Sequence, residues 1–339
     1  MHKKILVYLF LSLGLTSSVS ARTFPICIYG INKPEEIQVV KKAGFSCIQS
    51  YEQNPEKLAS LAQQARKLGL KTVFYPQKVL GSSYEKQAEK WPMLAWYVVD
   101  EPDVSRWSRQ QVIDIKSKTN QAWPSVETAL VIGQGRTRIP FYDLTDNMMV
   151  DWYPVPHLEL TSFGDNVAWT REGMKAYGAG EHPLWGVVQI FNWKEFKQYR
   201  PDHDRIGRFP TEDEIRFMSY DGILNGATGL FFFHLYSFGK PLPEVSPKDW
   251  QAVVNVIKEL AKMRPIFEKG TLVENPVKVS APLKMQSWKY KRHIYSILIN
   301  RSNTSQAIPP QLLDKPYKRL FTRLNESLLV PYGVWILKK

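Results

Sequence analysis

The chain has 339 residues, 44% apolar and 13% aromatic, which excludes a disordered polypeptide and suits a large core with an appendage. Its formal net charge of +13 would suit acidic polysaccharide or an anionic envelope surface. The basic residues are scattered, however, with 284–292 the one dense cluster and no nucleic-acid motif, so a solvated basic surface is expected and a nucleic-acid partner is not.

Residues 1–21 read as a secretory signal peptide. Lys3 and Lys4 precede an apolar run over 5–15, and small residues follow, with Val19 and Ala21 at the positions a signal peptidase favours. The run is too short for a mature membrane anchor, and no later stretch reaches the roughly 20 apolar residues of a membrane span. The remaining chain, with a charge of about +11 once Lys3 and Lys4 are gone, is expected to be exported, periplasmic or secreted.

From residue 22 to about 268 short apolar runs alternate with helical patterns, the mark of a parallel sheet wrapped by helices. The first run is 24–29 (FPICIY), with a helix over 34–42 ended by Gly44. The second is 45–51 (FSCIQSY), and its helix over 55–68 places Leu58, Leu61, Ala62 and Ala65 on one face. Cys27 and Cys47 fall inside these two runs; export permits a disulfide, but two buried thiols are the preferred reading. The third run is 71–75, and the fourth, 94–99 (LAWYVV), leads into Asp100-Glu101-Pro102 and a helix over 108–121. The fifth is 128–132, the sixth 147–153 (NMMVDWY), the seventh 184–191 (LWGVVQIF). Thr211 and Glu214 form a capping box for a helix ending near Asn225-Gly226. The eighth run is 229–236 (GLFFFHLY), and a last helix covers 247–263. Eight runs in this order predict an α/β fold, a closed (β/α)8 TIM barrel, and no glycine-rich phosphate loop follows the first strand. From 269 to 339 strand-like pieces at 277–279, 283–288, 293–299, 319–324 and 334–337 predict a small all-β domain, a β-sandwich.

In such a barrel the active face lies at the carboxyl ends of the strands. There the sequence places Tyr29, then Gln49 and Tyr51, Tyr75 and Gln77, Asp100 and Glu101, Asp151 with Trp152 and Tyr153, Gln189 with Trp193 beyond, and His234 and Tyr236. Carboxylates, amides and rings converging on one opening describe a sugar site, because rings cover the apolar faces of pyranoses while carboxylates and amides bond their hydroxyls. Glu101, Asp151 and Asp100 are the expected catalytic residues. Tyr29, Gln49, Tyr75, Trp152, Tyr153, Gln189, Trp193, His234 and Tyr236 are the expected sugar contacts. The histidines show no metal-ligand spacing, Asp202-His203-Asp204 reads as a solvated loop, and Ser50 and Ser162 have no triad partners at recognisable positions. The polar, aromatic and basic segment 192–210 reads as an active-face loop.

The segment Trp96-Tyr97-Val98-Val99-Asp100-Glu101-Pro102 resembles the fourth strand of retaining glycosidase barrels, where Asn-Glu-Pro or Asp-Glu-Pro carries the acid/base glutamate. Asp151-Trp152-Tyr153-Pro154 is similar to the strand-six Asp-x-Tyr-Pro of secreted bacterial glycosidase-like barrels. Gln189-x-Phe191, Glu214-x-Arg216-x-Met218-x-Tyr220 and Gly226-Ala227-x-Gly229 extend the likeness over roughly residues 24–265. Ile299-Asn300 and Val330-Pro331-Tyr332-Gly333 resemble the β domains appended to such barrels. The resemblance implies a glycoside hydrolase acting on a glycan, acidic ones included, with Glu101 as general acid and no cofactor. One departure counts: the nucleophilic glutamate of the retaining barrels ends strand seven, where this chain has Gln189. Three readings follow. Asp151 is the second carboxylate, as nucleophile or as base for water; or Asp100 and Glu101 act together with a substrate acetamido group, steadied by Tyr153; or the barrel binds glycan without cutting it.

Overall fold

The computed structural model describes residues 23–198, 207–313, 316–321 and 327–339. The expected signal segment and Asp202-His203-Asp204 lie outside these residues, as does part of the 192–210 loop.

Eight parallel strands close into a barrel in sequence order, each hydrogen-bonded to the next and the eighth to the first. They are β1 (Ile26–Ile28), β2 (Cys47–Gln49), β3 (Lys71–Phe74), β4 (Met93–Asp100), β5 (Thr128–Ile132), β6 (Asn147–Asp151), β7 (Leu184–Gln189) and β8 (Gly229–Phe233). The helices in chain order are α1 (Pro34–Ala43), α2 (Pro55–Lys67), the short α3 (Glu85–Ala88), α4 (Arg109–Ala122), α5 (Ser162–Ala176) and α6 (Glu212–Leu224). Past β8 come a small ribbon, β9 (Tyr236–Ser237) with β10 (Lys240–Pro241), then α7 (Leu242–Val245) and the long α8 (Pro247–Lys269). The two-residue period of each strand sorts its side chains. Ile26, Ile28, Ile48, Phe74, Trp96, Leu130, Val150, Val188 and Phe232 face the helices and join their apolar stripes. Cys27, Cys47, Val73, Ala95, Tyr97, Ala129, Met149, Trp185 and Phe231 fill the barrel interior.

This sorting overturns the two-thiol reading. Cys27 and Cys47 stand directly opposite each other in the β1–β2 ladder and both point inward, and they are joined by a disulfide. Parallel neighbours in register put their Cβ atoms on one side of the sheet, which is what a disulfide requires.

Two helices depart from expectation. The sequence marks none between the sixth and seventh runs, yet α5 spans fifteen residues there. It starts without a side-chain cap and carries Gly164 and Gly173, which weaken its pattern. Both glycines serve packing: a Cβ on Gly173 would lie 2.5 Å from the Tyr142 ring, and one on Gly164 would collide with the Asp221 carboxylate. α8 runs six residues beyond Met263 because Pro265 leaves the helix intact. The extra turn buries Ile266 and sets Phe267 against Phe24 (4.8 Å) and Trp288 (5.6 Å), closing the base of the barrel.

The C-terminal segment forms a five-stranded antiparallel sheet in the order β11 (Thr271–Val273), β12 (Leu283–Tyr290), β13 (His293–Asn300), β17 (Val334–Lys338), β15 (Lys318–Leu320). A two-stranded ribbon, β14 (Gln306–Ala307) with β16 (Leu328–Leu329), accompanies it. The strand expected at 277–279 is absent. Pro276 and Pro282 cannot donate to a ladder, and Asn275 bonds Met285 O and Ser287 Oγ instead. One face of the sheet (Trp288, Ile297, Ile299, Val334, Ile336) merges with the barrel's helical layer. The other (Met285, Leu298, Trp335, Leu337) is covered by Ile308, Leu312 and Leu329.

Candidate active site

At the carboxyl ends of the strands the inward positions become polar. β6 is the plainest case: Met149 faces in, Val150 out, and Asp151 in again. β4 needs a device. Its pairing with β5 shifts between Tyr97 and Val99, so Val98 and Val99 both face the helical layer and Asp100 returns to the interior. Glu101 then adopts a left-handed backbone, φ +43°, uncommon for a residue with a long side chain. Its N–H still donates to Val131 O (3.1 Å), and Asp103 pins the turn by accepting from the N–H groups of Gly133 (3.0 Å) and Gln134 (3.2 Å). Gly133 leaves the room that the glutamate occupies: a Cβ there would stand 2.9 Å from Glu101 Oε1.

The result is a cluster of three carboxyl groups from two strands. Glu101 and Asp151 are hydrogen-bonded to each other. Asp151 is 8% exposed; Oδ2 accepts from the Tyr153 hydroxyl (3.0 Å) while Oδ1 is buried with no hydrogen-bond donor. Asp100 accepts from Tyr97 (2.7 Å) and from the Tyr75 hydroxyl, and Tyr29 in turn lies 3.3 Å from Tyr97 Oη. Burial raises all three acids above the ordinary carboxylate range; the charge of Asp100 raises Glu101 further, and that of Glu101 and then Asp100 raises Asp151. Hydrogen bonds from Tyr97 and Tyr75 hold Asp100 back toward its usual value. Two enclosed acids in contact beside a third charge favour a single shared proton on the Glu101–Asp151 pair.

The pair opens on a cleft. Its central pocket, about 310 Å³, is lined by Tyr51, Asp100, Glu101, Asp151, Tyr153, Phe191, Trp193, Phe196 and Phe233. A smaller pocket of about 160 Å³ shares Glu101, Asp151, Tyr153 and Trp193 and extends to Trp152 and Leu158. A third, about 310 Å³, shares Tyr51, Phe196 and Phe233 and extends to Glu195, His234 and Tyr236. Trp193 donates to Tyr153 O (3.3 Å) and packs on Phe191 (5.0 Å), so the ring wall is built from the β6, β7 and β8 ends.

Of the expected residues, the structure gathers Glu101, Asp151, Asp100, Trp152, Tyr153 and Trp193 around the carboxyl pair, and sets His234 and Tyr236 in the adjoining pocket. Three expected sugar contacts are corrected. Tyr29 (2% exposed) lies under the site. Gln49 (0%) takes the Gly30 N–H. Gln189 (0%) is spent on backbone: it accepts from Val155 N (2.8 Å) and donates to Val155 O (2.8 Å) and Phe191 O (3.2 Å). Tyr75 reaches the site through Asp100 and lines none of these three pockets. His234 is held neutral, its pKa lowered to about 4 by burial. Phe191, Glu195, Phe196 and Phe233 were missed. Phe196 and Glu195 fall in the loop flagged after β7, but nothing in a run of apolar letters says that Phe233 faces the cleft.

No family model and no curated protein matches the chain. Solved structures do match. A GH30 endoxylanase from Clostridium papyrosolvens C71 is 12% identical with a TM-score of 0.54, covering 94% of this chain and 96% of that one. An α-amylase from Geobacillus thermoleovorans, complexed with acarbose, is 9% identical (TM-score 0.56; 94% and 98% covered). A glucosidase from Croceicoccus marinus is 12% identical (TM-score 0.53; 92% and 82% covered). The likeness is one of fold. What the site does must be argued from the site.

Proposed function

We propose that the protein is a glycoside hydrolase in which Glu101 is the general acid and Asp151 the nucleophile. The observation that carries this reading is the interacting Glu101–Asp151 carboxyl pair at the floor of a ring-walled cleft, with Asp151 Oδ1 buried and given no hydrogen-bond donor. Carboxyl groups in direct contact fall far inside the roughly 6.5–9.5 Å that an intervening water needs, and nearer the roughly 5–5.5 Å of direct displacement. A glycosidic oxygen entering between the two breaks their hydrogen bond. The resting contact raises Asp151 and lowers Glu101, so the shared proton sits on Asp151 until the pair is parted; Asp151 then keeps the Tyr153 hydroxyl, which favours its anion, and hands the proton to Glu101. Glu101 protonates the leaving oxygen as Asp151 attacks the anomeric carbon. Water, deprotonated by Glu101, then cleaves the glycosyl ester and restores both groups. Asp100, bonded to two phenols, acts by its charge in keeping the pair's proton, not by contact with an acetamido group.

The absent strand-seven glutamate fits this assignment, since Gln189 has a structural task and Asp151 supplies the second carboxylate. Export is part of the proposal: the 1–21 pattern suggests it and the Cys27–Cys47 disulfide is compatible with an oxidising compartment. No helix among the described residues is long and apolar enough to cross a membrane. The test is release of reducing ends from a panel of polysaccharides and oligosaccharides. Wild type should release product from at least one, and Glu101→Gln should lower that rate by about 10²–10⁴-fold with an unchanged circular dichroism spectrum. Binding without product from any glycan would leave a carbohydrate-binding barrel instead.

A further inference from the structure

The cleft continues past the acid pair. Its third pocket is as large as the central one and joined to it through Tyr51, Phe196 and Phe233. Two large rings stand out from the surface at this junction and beyond it, Tyr51 (38% exposed) and Phe238 (47%). Phe238 is held in a left-handed backbone conformation, φ +47°, so a bulky ring is displayed at a conformational cost in the fold. Exposed rings lining a concave wall are the usual platform for a pyranose face.

One carboxylate sets the chemistry of this pocket. Glu195 is 7% exposed; Oε1 accepts from Ser237 Oγ (2.9 Å) and Asn192 N (3.1 Å), the carboxylate also accepts from the Phe238 N–H, and Oε2 lies 3.9 Å from His234 Nε2. That imidazole is neutral near pH 7 and supplies no compensating charge. Across all three pockets the described lining holds Asp100, Glu101, Asp151 and Glu195 and no lysine or arginine. The chain as a whole carries +13, so the lack of basic groups among these described lining residues is not a matter of composition.

We propose that the third pocket is a second sugar subsite, stacked on Tyr51 and Phe238, and that Glu195 makes the cleft select glycans free of acidic sugars. This rests on the glycan reading of the cleft. A hydroxyl donates to the glutamate at this subsite, whereas a uronate meets a second carboxylate in a partly enclosed space with no cation among the described lining residues to offset it. The substrate therefore spans the acid pair and at least one further ring.

The experiment uses the full mature chain carrying Glu101→Gln, so that binding is read without turnover. Titration calorimetry compares neutral oligosaccharides (gluco-, xylo- and manno-oligomers of six sugars) with oligouronates of the same length. At least one neutral oligomer should bind at least tenfold more tightly than every uronate. Adding Phe238→Ala, a surface change, should weaken that binding about tenfold. Adding Glu195→Gln, which keeps a carbonyl acceptor for Ser237, should bring the uronates to within about threefold. Uronates binding as well as neutral oligomers, or a preference untouched by Glu195→Gln, would overturn the subsite while leaving the hydrolase reading in place. No binding of any oligosaccharide would sink both.

Discussion

Glu101 carries three separate constraints: a left-handed φ, a hydrogen bond to Asp151, and a site cleared for it by Gly133. A residue so determined is placed for chemistry more than for stability. On the proposed mechanism its neighbour Asp100 sets the working pH. The Asp100 charge raises both Glu101 and Asp151, so removing it lowers the pH at which the pair loses its shared proton. Asp100→Asn should therefore move the alkaline limb of the kcat/KM profile to lower pH, while exchanging one of the two acceptor oxygens for an NH2 group disturbs one of the hydrogen bonds from Tyr97 and Tyr75. A limb unmoved, or moved upward, would show that Asp100 does not act on the pair through its charge.

At the scale of elements, the strands act as a ruler. Tyr29, Gln49, Asp151 and Gln189 fall on inward positions by simple alternation, so their place at the mouth was legible in the sequence. Whether each reaches the cleft was not. Gln189 points toward the cleft on paper, yet the turn after β6 brings Val155 against it and absorbs its amide. Asp100 and Glu101 cannot both face inward under strict alternation. The shift in the β4–β5 pairing and the φ of Glu101 allow it, and neither leaves a mark in the letters MLAWYVVDEP. α5 escaped for a related reason, since its glycines answer to Tyr142 and Asp221, which lie far off in the chain. Gln189→Ala should destabilise the protein by about 2 kcal/mol or more, because the Val155 N–H and C=O lose their partners in a buried place. Chemical denaturation checks this. A neutral result would mean that the amide is free to meet substrate.

At the scale of the whole molecule, two arginines tie the C-terminal sheet to the barrel. Arg301, just past β13, pairs with Asp165 of α5 (2.6 Å) and with the fully buried Asp221 of α6 (2.9 Å), and donates to Thr161 O (3.1 Å). Arg216 of α6 reaches the other way to Val334 O (2.7 Å) while pairing with Glu259 (2.8 Å). Burial raises the Asp221 pKa to about 6 despite the pull of Arg301; without the guanidinium it would rise further, so near neutral pH the buried acid must either take up a proton or stay charged without its partner, and both cost stability. Arg301→Ala should cost about 3–5 kcal/mol at pH 7.5, with a smaller penalty at pH 5, where Asp221 takes up its proton. An equal penalty at both pH values would show that the pair contributes by packing alone. The link joins residues 80 positions apart, and no local pattern in the sequence announces it.

A direct contact between Glu101 and Asp151 commits the account to one stereochemical outcome. Proton NMR of the first-formed sugar, taken before mutarotation, reads it without ambiguity. The product should appear with the anomeric configuration of the bond that was cut. Inversion would remove Asp151 from the role of nucleophile, and a complete lack of product across the glycan panel would remove the hydrolytic proposal with it.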